Sequence, residues 1–255
     1  MHSLDIAPDG WKLFHAASAT SSSDLAIRYL EENPCSNKVA FCVDEQTKGR
    51  GRKGRIWTSQ SGDGMYLSAV IAPGGELADW PSLSFMTALS LLQAVQITLP
   101  ELVSRLRVKW PNDVLIDGHK IAGILLEAHP PSLVIGCGVN LKNAPKIKGR
   151  TLPVGDISMF SKKQVTAHQL ACKFLVCLSE NIMVWQSKDG PSSCIRVWRE
   201  FCDMVGQTIE VTLPGRVLRG VCISIDDEGV LSLEDVSGGL HRITTGDVQI
   251  MNASS

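Results

Sequence analysis

Residues 109–127 read KWPNDVLIDGHKIAGILLE. With the LRV that precedes them, they predict a strand, a break, a second strand, a tight turn and a third strand. Pro111 supplies the break, because it has no N–H to donate to a ladder. Asp117-Gly118 supplies the turn, since both central positions of a type I′ hairpin turn need positive φ. The hairpin would fix Lys120 at the start of a strand. Gly123 follows three residues on, where a missing side chain lets a flat ring lie against the backbone. Asn112 and Asp113 sit at the strand end after the proline. An amide and a carboxylate there suit a phosphate, a metal ion or a neighbouring lysine, although Asn-Asp is also an ordinary turn pair. Lys120 alone would be an ordinary exposed lysine. Trp110 reads as a core anchor, and Lys109 fits either role.

Working outward, the TSSSDLAIRYLEE stretch (20–32) predicts a helix entered through a polar cap. KVAFCVDEQ (38–46) alternates as a strand, and MYLSAVIAP (65–73) as another. SLSFMTALSLLQAVQI (82–97) puts Phe85, Leu89 and Leu92 on one helical stripe. SLVIGCGVNL (132–141) reads as a buried strand, with Gly136, Gly138 and Asn140 on it. The glycines suit either tight strand packing or close approach of a ligand. Residues 144–163 read as a loop. TAHQLACKFLVCLSENIMVWQ and PSSCIRVWREFC read as two helices. From about Gly206 short strands alternate with Pro-Gly, Asp-Glu-Gly and Ser-Gly-Gly turns, which predicts a small all-β, barrel-like module. The expected domains are therefore 1–205 and 206–255.

Between the first two strands lies GRGRKGRIW (49–57). Gly49, Gly51 and Gly54 match G-x-G-x-x-G, but a dinucleotide fingerprint must open a helix. Here a tryptophan, a Gly-rich turn and a strand follow instead. Glycines make the loop costly to order and let its backbone approach a ligand. Arg50, Arg52, Lys53 and Arg55 give it reason to order around an anion. The combination describes a lid over a phosphate-bearing ligand; an exposed basic loop that meets nucleic acid is the rival reading.

The chain as a whole does not share that basicity. It has 25 Lys and Arg against 26 Asp and Glu, a net charge of −1. That argues against bulk attraction to nucleic acid or to a membrane surface. None of the eight cysteines forms a C-x-x-C, which suits free thiols in a reducing, intracellular setting, the cytosol or an organelle. The six histidines show no metal-ligand spacing. No apolar run reaches membrane-spanning length, and the N-terminus lacks signal- or transit-peptide character.

EQTKGRGRKGRIW, KWPNDVLIDGHKIAGILLE and VIGCGVNL, in this order, resemble the three signatures of biotin protein ligases (holocarboxylase synthetases). The resemblance covers nearly the whole chain, and its second string is the most specific. It implies an α+β fold: a mixed β-sheet packed with α-helices, then a small SH3-like β-barrel. It implies biotin and ATP as substrates, biotinyl-5′-AMP as intermediate, Mg²⁺, and transfer to a lysine of a biotin carboxyl carrier protein or domain of biotin-dependent carboxylases. By this resemblance Lys120 would bridge the biotin carboxylate and the α-phosphate, with Arg52 as the second catalytic cation. Biotin would meet Gln46, Gly49, Arg50, Gly51, Arg52, Lys120 and Gly123. ATP would meet Arg52, Arg55, Trp57, Asn112, Lys120 and Asn140, with Asp113 on the metal. Family members usually carry Ser-Thr-Asn where the first helix begins. Here Ser21, Ser22 and Ser23 stand in its place, and which of them touches biotin is open, as is a homodimer. Fewer than twenty residues precede that helix, so a DNA-binding domain is not expected. A lipoate-protein ligase is the nearest enzymatic alternative.

Overall fold

The computed structural model describes residues 2–3, 8–145 and 152–251. Residues 146–151 of the expected 144–163 loop, and residues 1, 4–7 and 252–255 of the expected domains, lie outside the described residues. The first sheet has eight strands: β1 (His2–Ser3), β2 (Lys12–Ala19), β3 (Val39–Gln46), β4 (Gly64–Ile71), β5 (Leu106–Lys109), β6 (Asp113–Ile116), β7 (His119–His129) and β8 (Ser132–Asn140). Their order across the sheet is β1-β2-β3-β4-β8-β7-β6-β5. β2 and β3 run parallel and their neighbours antiparallel, so the sheet is mixed. β2 was not foreseen. Of its side chains only Leu13 is fully buried, so it lacks the apolar alternation that marks a strand in sequence.

The hairpin expected at 117–118 is present, with φ of 45° at Asp117 and 74° at Gly118. Its register pairs Asp113 with Gly123 and then Gly123 with Gly138 across β6, β7 and β8. Strand periodicity then sorts the two faces. β8 turns Leu133, Ile135, Cys137 and Val139 into the large core, so Gly136 and Gly138 face the other side. β4 likewise sends Leu67 and Ala69 into that core and Val70 to the opposite face, with Ser68.

Three helices cover the large core: α2 (Leu83–Thr98), α3 (Ala167–Trp185) and α4 (Gly190–Arg199). α2 departs from the expected single stripe. Eleven of its residues are buried, from Leu83 to Val95, because α3, α4 and the sheet pack around it on several sides. The opposite face carries one helix, α1 (Ser22–Glu32), which packs Ala26 and Leu30 on Val39, Phe41, Val70 and Val134. Only part of that face is covered, and the rest is left to a cleft.

A second, five-stranded antiparallel sheet follows: β9 (Thr208–Leu213), β10 (Arg216–Ile225), β11 (Leu231–Asp235), β12 (Leu240–Ile243) and β13 (Asp247–Ile250). It is the small all-β unit expected from the turn spacing, and it is consistent with the SH3-like fold that the resemblance implied. Its apolar side joins the large core through Ile209, Val211, Ile225, Leu231 and Leu233. All eight cysteines are free. Burial pushes the Cys42 thiol up to about 12, so it packs as a small hydrophobe. No helix among the described residues is long and apolar enough to cross a membrane.

Candidate active site

The cleft encloses about 270 Å³ on the α1 face. Its floor is made of glycines because a side chain would close it. A Cβ at Gly138 would lie 2.5 Å from the Trp57 indole, and one at Gly123 would lie 3.1 Å from it. The flat ring that Gly123 was expected to admit is therefore, in this structure, the Trp57 indole. Its Nε1 is buried with no hydrogen-bond partner among the described residues, an unmet polar demand inside the site.

At one wall Asp113 is buried between two lysines. Its Oδ1 lies 2.6 Å from Lys120 Nζ and its Oδ2 lies 3.1 Å from Lys109 Nζ. Burial alone would raise its pKa, but the two ammonium groups win and hold it at about 2. The cluster of two lysines and one carboxylate carries a net +1. Lys109, left open in the sequence, thus belongs to this cluster. Asp113 was expected on a metal ion; in this structure its carboxylate faces the two lysines. Both carboxylate oxygens already face ammonium groups, and a divalent cation beside them would meet two like charges. Among the described residues no group of three or more His, Cys, Asp or Glu side chains could hold a metal ion.

The loop 49–57 roofs the cleft as a small folded hairpin. Gly51 N–H donates to Arg55 O at 2.7 Å, and Trp57 N–H donates to Gly49 O at 2.9 Å. Gly49 serves this closure and does not line the cleft. A Cβ there would lie 2.4 Å from Trp57 O, so the glycine expected at biotin is required in this structure by a backbone crossing. The cations are not alike. Arg50 bridges Asp24 at 2.5 Å and Glu127 at 3.3 Å. Arg55 pairs with Asp247 of β13, as Lys53 does at 3.3 Å. Arg55 was expected at the phosphates; in this structure Asp247 holds it. Burial would raise Asp247, and Arg55 and Lys53 keep it below the usual carboxylate value. Arg52 differs. It donates to neutral oxygens, Asn112 Oδ1 at 3.2 Å and Thr245 Oγ1 at 3.3 Å, and forms no ion pair among the described residues. Burial pushes its pKa down, although an arginine stays charged at neutral pH. Asn112 is committed at both ends, its Nδ2 donating to Ile124 O. Asn140 Nδ2 donates to Gly155 O at 3.0 Å.

At the far end stand the three serines. Ser21 caps α1, its Oγ accepting from Asp24 N–H at 3.0 Å. Ser22 and Ser23 turn inward to Ser68, at 2.8 and 3.1 Å. Gln46 Oε1 accepts from the Ser22 N–H at 2.9 Å. All three serines, Gln46, Arg50, Gly51, Arg52, Arg55, Trp57, Asn112, Asp113, Lys120, Gly123 and Asn140 line one cleft. A site with a row of hydroxyls at one end, a glycine floor in the middle and uncompensated positive charge at the other fits an elongated ligand with an anionic terminus.

The model of the biotin/lipoate A/B protein ligase family matches residues 17–140, and that of the biotin protein ligase C terminal domain matches 205–251. A biotin--[acetyl-CoA-carboxylase] ligase of Mycobacterium tuberculosis is 30% identical, over 95% of this chain and 90% of its own. The chain belongs to the biotin protein ligase family. A second such ligase, of Paracoccus denitrificans, is 33% identical over 76% of this chain and 83% of its own. The biotin protein ligase of Aquifex aeolicus, solved with biotin and ATP, shares the fold. Its TM-score is 0.79 at 23% identity, covering 94% of this chain and 99% of that one. ATP-dependent biotinylation is the activity that these relatives support for the chain. For a biotin protein ligase the sequence motifs found the cations and missed their partners. Asp24, Thr245 and Asp247 lie outside the quoted signatures, and Glu127, which closes the 109–127 string, carried no assigned role there. Only the fold brings Asp247 to Arg55, across 192 positions of chain.

Proposed function

We propose that this cleft makes biotinyl-5′-AMP and passes its biotinyl group to a lysine of a biotin carboxyl carrier protein or domain of a biotin-dependent carboxylase. In the first step a biotin carboxylate oxygen bonds to the α-phosphorus of ATP, and the bond to pyrophosphate breaks. In the second the acceptor amine bonds to the carboxyl carbon, AMP leaves with the bonding pair, and the amine gives up a proton. The first step brings one anion onto another, so preorganised positive charge must offset the repulsion.

One observation carries this reading: Lys120, held by the hairpin and by Asp113, lies at the edge of the Gly123/Gly138 floor, and Arg52 of the loop lines the same cleft with no ion pair among the described residues. Lys120 would bridge carboxylate and α-phosphate. Arg52 would cover the mixed anhydride, and Asn112 would aim Arg52. Trp57 Nε1, buried without an acceptor among the described residues, would gain one from the nucleotide or move aside for its base. Ser22, Ser23 and Gln46 would hold the ureido ring at the opposite end. No step above depends on Mg²⁺, for which the described residues offer no cluster of three or more His, Cys, Asp or Glu. Residues 206–255 would act as a small domain that carries Asp247 to the roof.

Two features weigh against the rivals. The chain carries the biotin ligase C-terminal match as well as the shared biotin/lipoate one. Arg50, Lys53 and Arg55 are each paired with the protein's own carboxylates, which lowers the charge a nucleic acid would meet. Pyrophosphate exchange into ATP tests the reading. Exchange should depend on biotin and be absent with lipoate or with neither; exchange supported by lipoate instead would overturn it.

A further inference from the structure

Ser68 stands in the middle of β4, fully buried, in a strand whose other members from Met65 to Ile71 are apolar or aromatic. A buried hydroxyl without partners would be costly there. Its partners are Ser22 and Ser23, and a single pattern of hydrogens makes every contact among them and Gln46 a hydrogen bond. The Ser22 N–H can only donate, so the Gln46 atom 2.9 Å away is the carbonyl oxygen. That oxygen also accepts the Ser22 hydroxyl at 3.2 Å. Gln46 Nε2 in turn donates to Ser59 Oγ at 3.0 Å, and Ser59 Oγ donates to Trp57 O at 3.4 Å.

A hydroxyl has one hydrogen. Once that of Ser22 is spent on Gln46, the 2.8 Å contact between Ser22 and Ser68 requires Ser68 to donate. The hydrogen of Ser68 is then spent too, so the 3.1 Å contact to Ser23 requires Ser23 to donate. The chain runs one way: Ser23 to Ser68 to Ser22 to Gln46. Ser23 spends its hydrogen inward and keeps lone pairs for the cleft. Gly136, the cross-strand partner of Ser68, leaves room for this, since a Cβ there would lie 3.2 Å from Ser23 Oγ.

We propose that Ser68 is a positioning residue: by accepting the hydrogen of Ser23 it fixes that hydroxyl as an acceptor for a ureido N–H of biotin. This rests on the reading of the cleft as the biotin site. Ser68 is fully buried and lies beneath the residues that line the cleft. Without its hydroxyl, Ser23 has no inward acceptor and can turn to present either its hydrogen or its lone pairs.

The experiment compares biotin with its two cyclic carbamate analogues, in each of which one ureido N–H is replaced by ring oxygen. Biotin-dependent pyrophosphate exchange gives kcat and KM for each, in the wild type and in Ser68→Ala. Wild type should discriminate strongly against at least one analogue, because an acceptor would face an acceptor. Ser68→Ala should raise KM for biotin about five- to tenfold with kcat within about twofold, and shrink that discrimination about tenfold. A general loosening of the fold would raise KM for all three compounds alike and leave their ratio unchanged; that result overturns the proposal. Ser68→Cys, which keeps the volume and weakens the acceptor, should move the ratio the same way by less, and it decides the matter if the alanine chain does not fold. Absence of biotin-dependent exchange in the wild type would instead refute the assignment of the cleft.

Discussion

Lys120 and Asp113 form one electrostatic unit. Lys120 is more than a charge placed at a strand start, because its Nζ is 2.6 Å from a carboxylate that also holds Lys109. Replacing Lys120 by Ala removes the donor aimed at the reacting atoms and leaves Asp113 with a partner. Adenylate formation should fall about 100- to 1000-fold, with circular dichroism unchanged; a loss below threefold would take Lys120 out of the centre. Asp113 makes a separate prediction in acid. Its ordinary value is 3.8 and its folded value about 2. The folded pKa is depressed, so its contribution to stability is complete above the unfolded value and is lost as pH falls through the folded one. The stability difference between wild type and Asp113→Asn should stay level from neutral pH down to about 4, then shrink between about 4 and 2. Denaturant titrations at stepped pH would measure it, and a difference that does not change with pH would contradict the pairing. The residues themselves offered Asp113 as a phosphate, metal or lysine partner, and the family resemblance placed it on the metal. The choice depends on β5–β6 register, which pairs Lys109 with Asp113, and on Lys120 reaching across from β7.

The loop 49–57 is an element whose backbone was legible and whose electrostatics were not. Three glycines among four cations announced a lid. That Arg50, Lys53 and Arg55 are held by Asp24, Glu127 and Asp247 depends on three distant segments. These pairs are more than a third exposed on the cation side, and pairs of that kind contribute little to stability. Their consequence is that the loop stands folded over the cleft, with Arg52 forming no ion pair among the described residues. Charge-assisted hydrogen bonds from Arg52 to an adenylate would be worth about 1.5–3 kcal/mol apiece. Arg52→Gly should therefore still make biotinyl-5′-AMP but release it roughly ten times faster or more, since each 1.4 kcal/mol is about a factor of ten. Stray biotin on bystander proteins in a mixture would report the leak. An adenylate held as long as in the wild type, with no bystander labelling, would remove Arg52 from the lid. Other elements were read with uneven success for physical reasons. The hairpin at 117–118 is dictated by its own two residues. α2 was given a stripe because periodicity cannot reveal a helix surrounded on several sides. β2 was missed because its partner, not its sequence, makes it a strand.

At the scale of the whole molecule, the two sheets share a core, which the change of texture near Gly206 did not foretell. Trp110, which precedes the site's Asn112 and Asp113 and is wholly buried, donates its Nε1 to Gly229 O at 2.9 Å. Gly229 has φ of 78°, and a Cβ there would lie 2.6 Å from the Phe85 ring. Phe85 meets Trp198 edge to face, with ring centroids 4.9 Å apart. The turn between β10 and β11 thus fastens the small sheet to α2, to α4 and to the strand break that opens the site. A chain cut at 206 would uncover these aromatic side chains and leave a buried indole N–H unpaired, so it is expected to lose cooperative folding rather than a single step of catalysis. Gly229→Ala tests the joint in the full chain without touching the cleft. A left-handed backbone position that disfavours a side chain costs about 1–3 kcal/mol, and the overlap with Phe85 adds to it. Each kcal/mol lowers the midpoint of a domain of about this size by roughly 2–4 °C. The variant should melt several degrees below the wild type, in one transition for both sheets, while below its melting range its KM for biotin stays near the wild-type value. Two transitions, with only the smaller one shifted, would mean that the sheets fold independently and that Gly229 does not couple them.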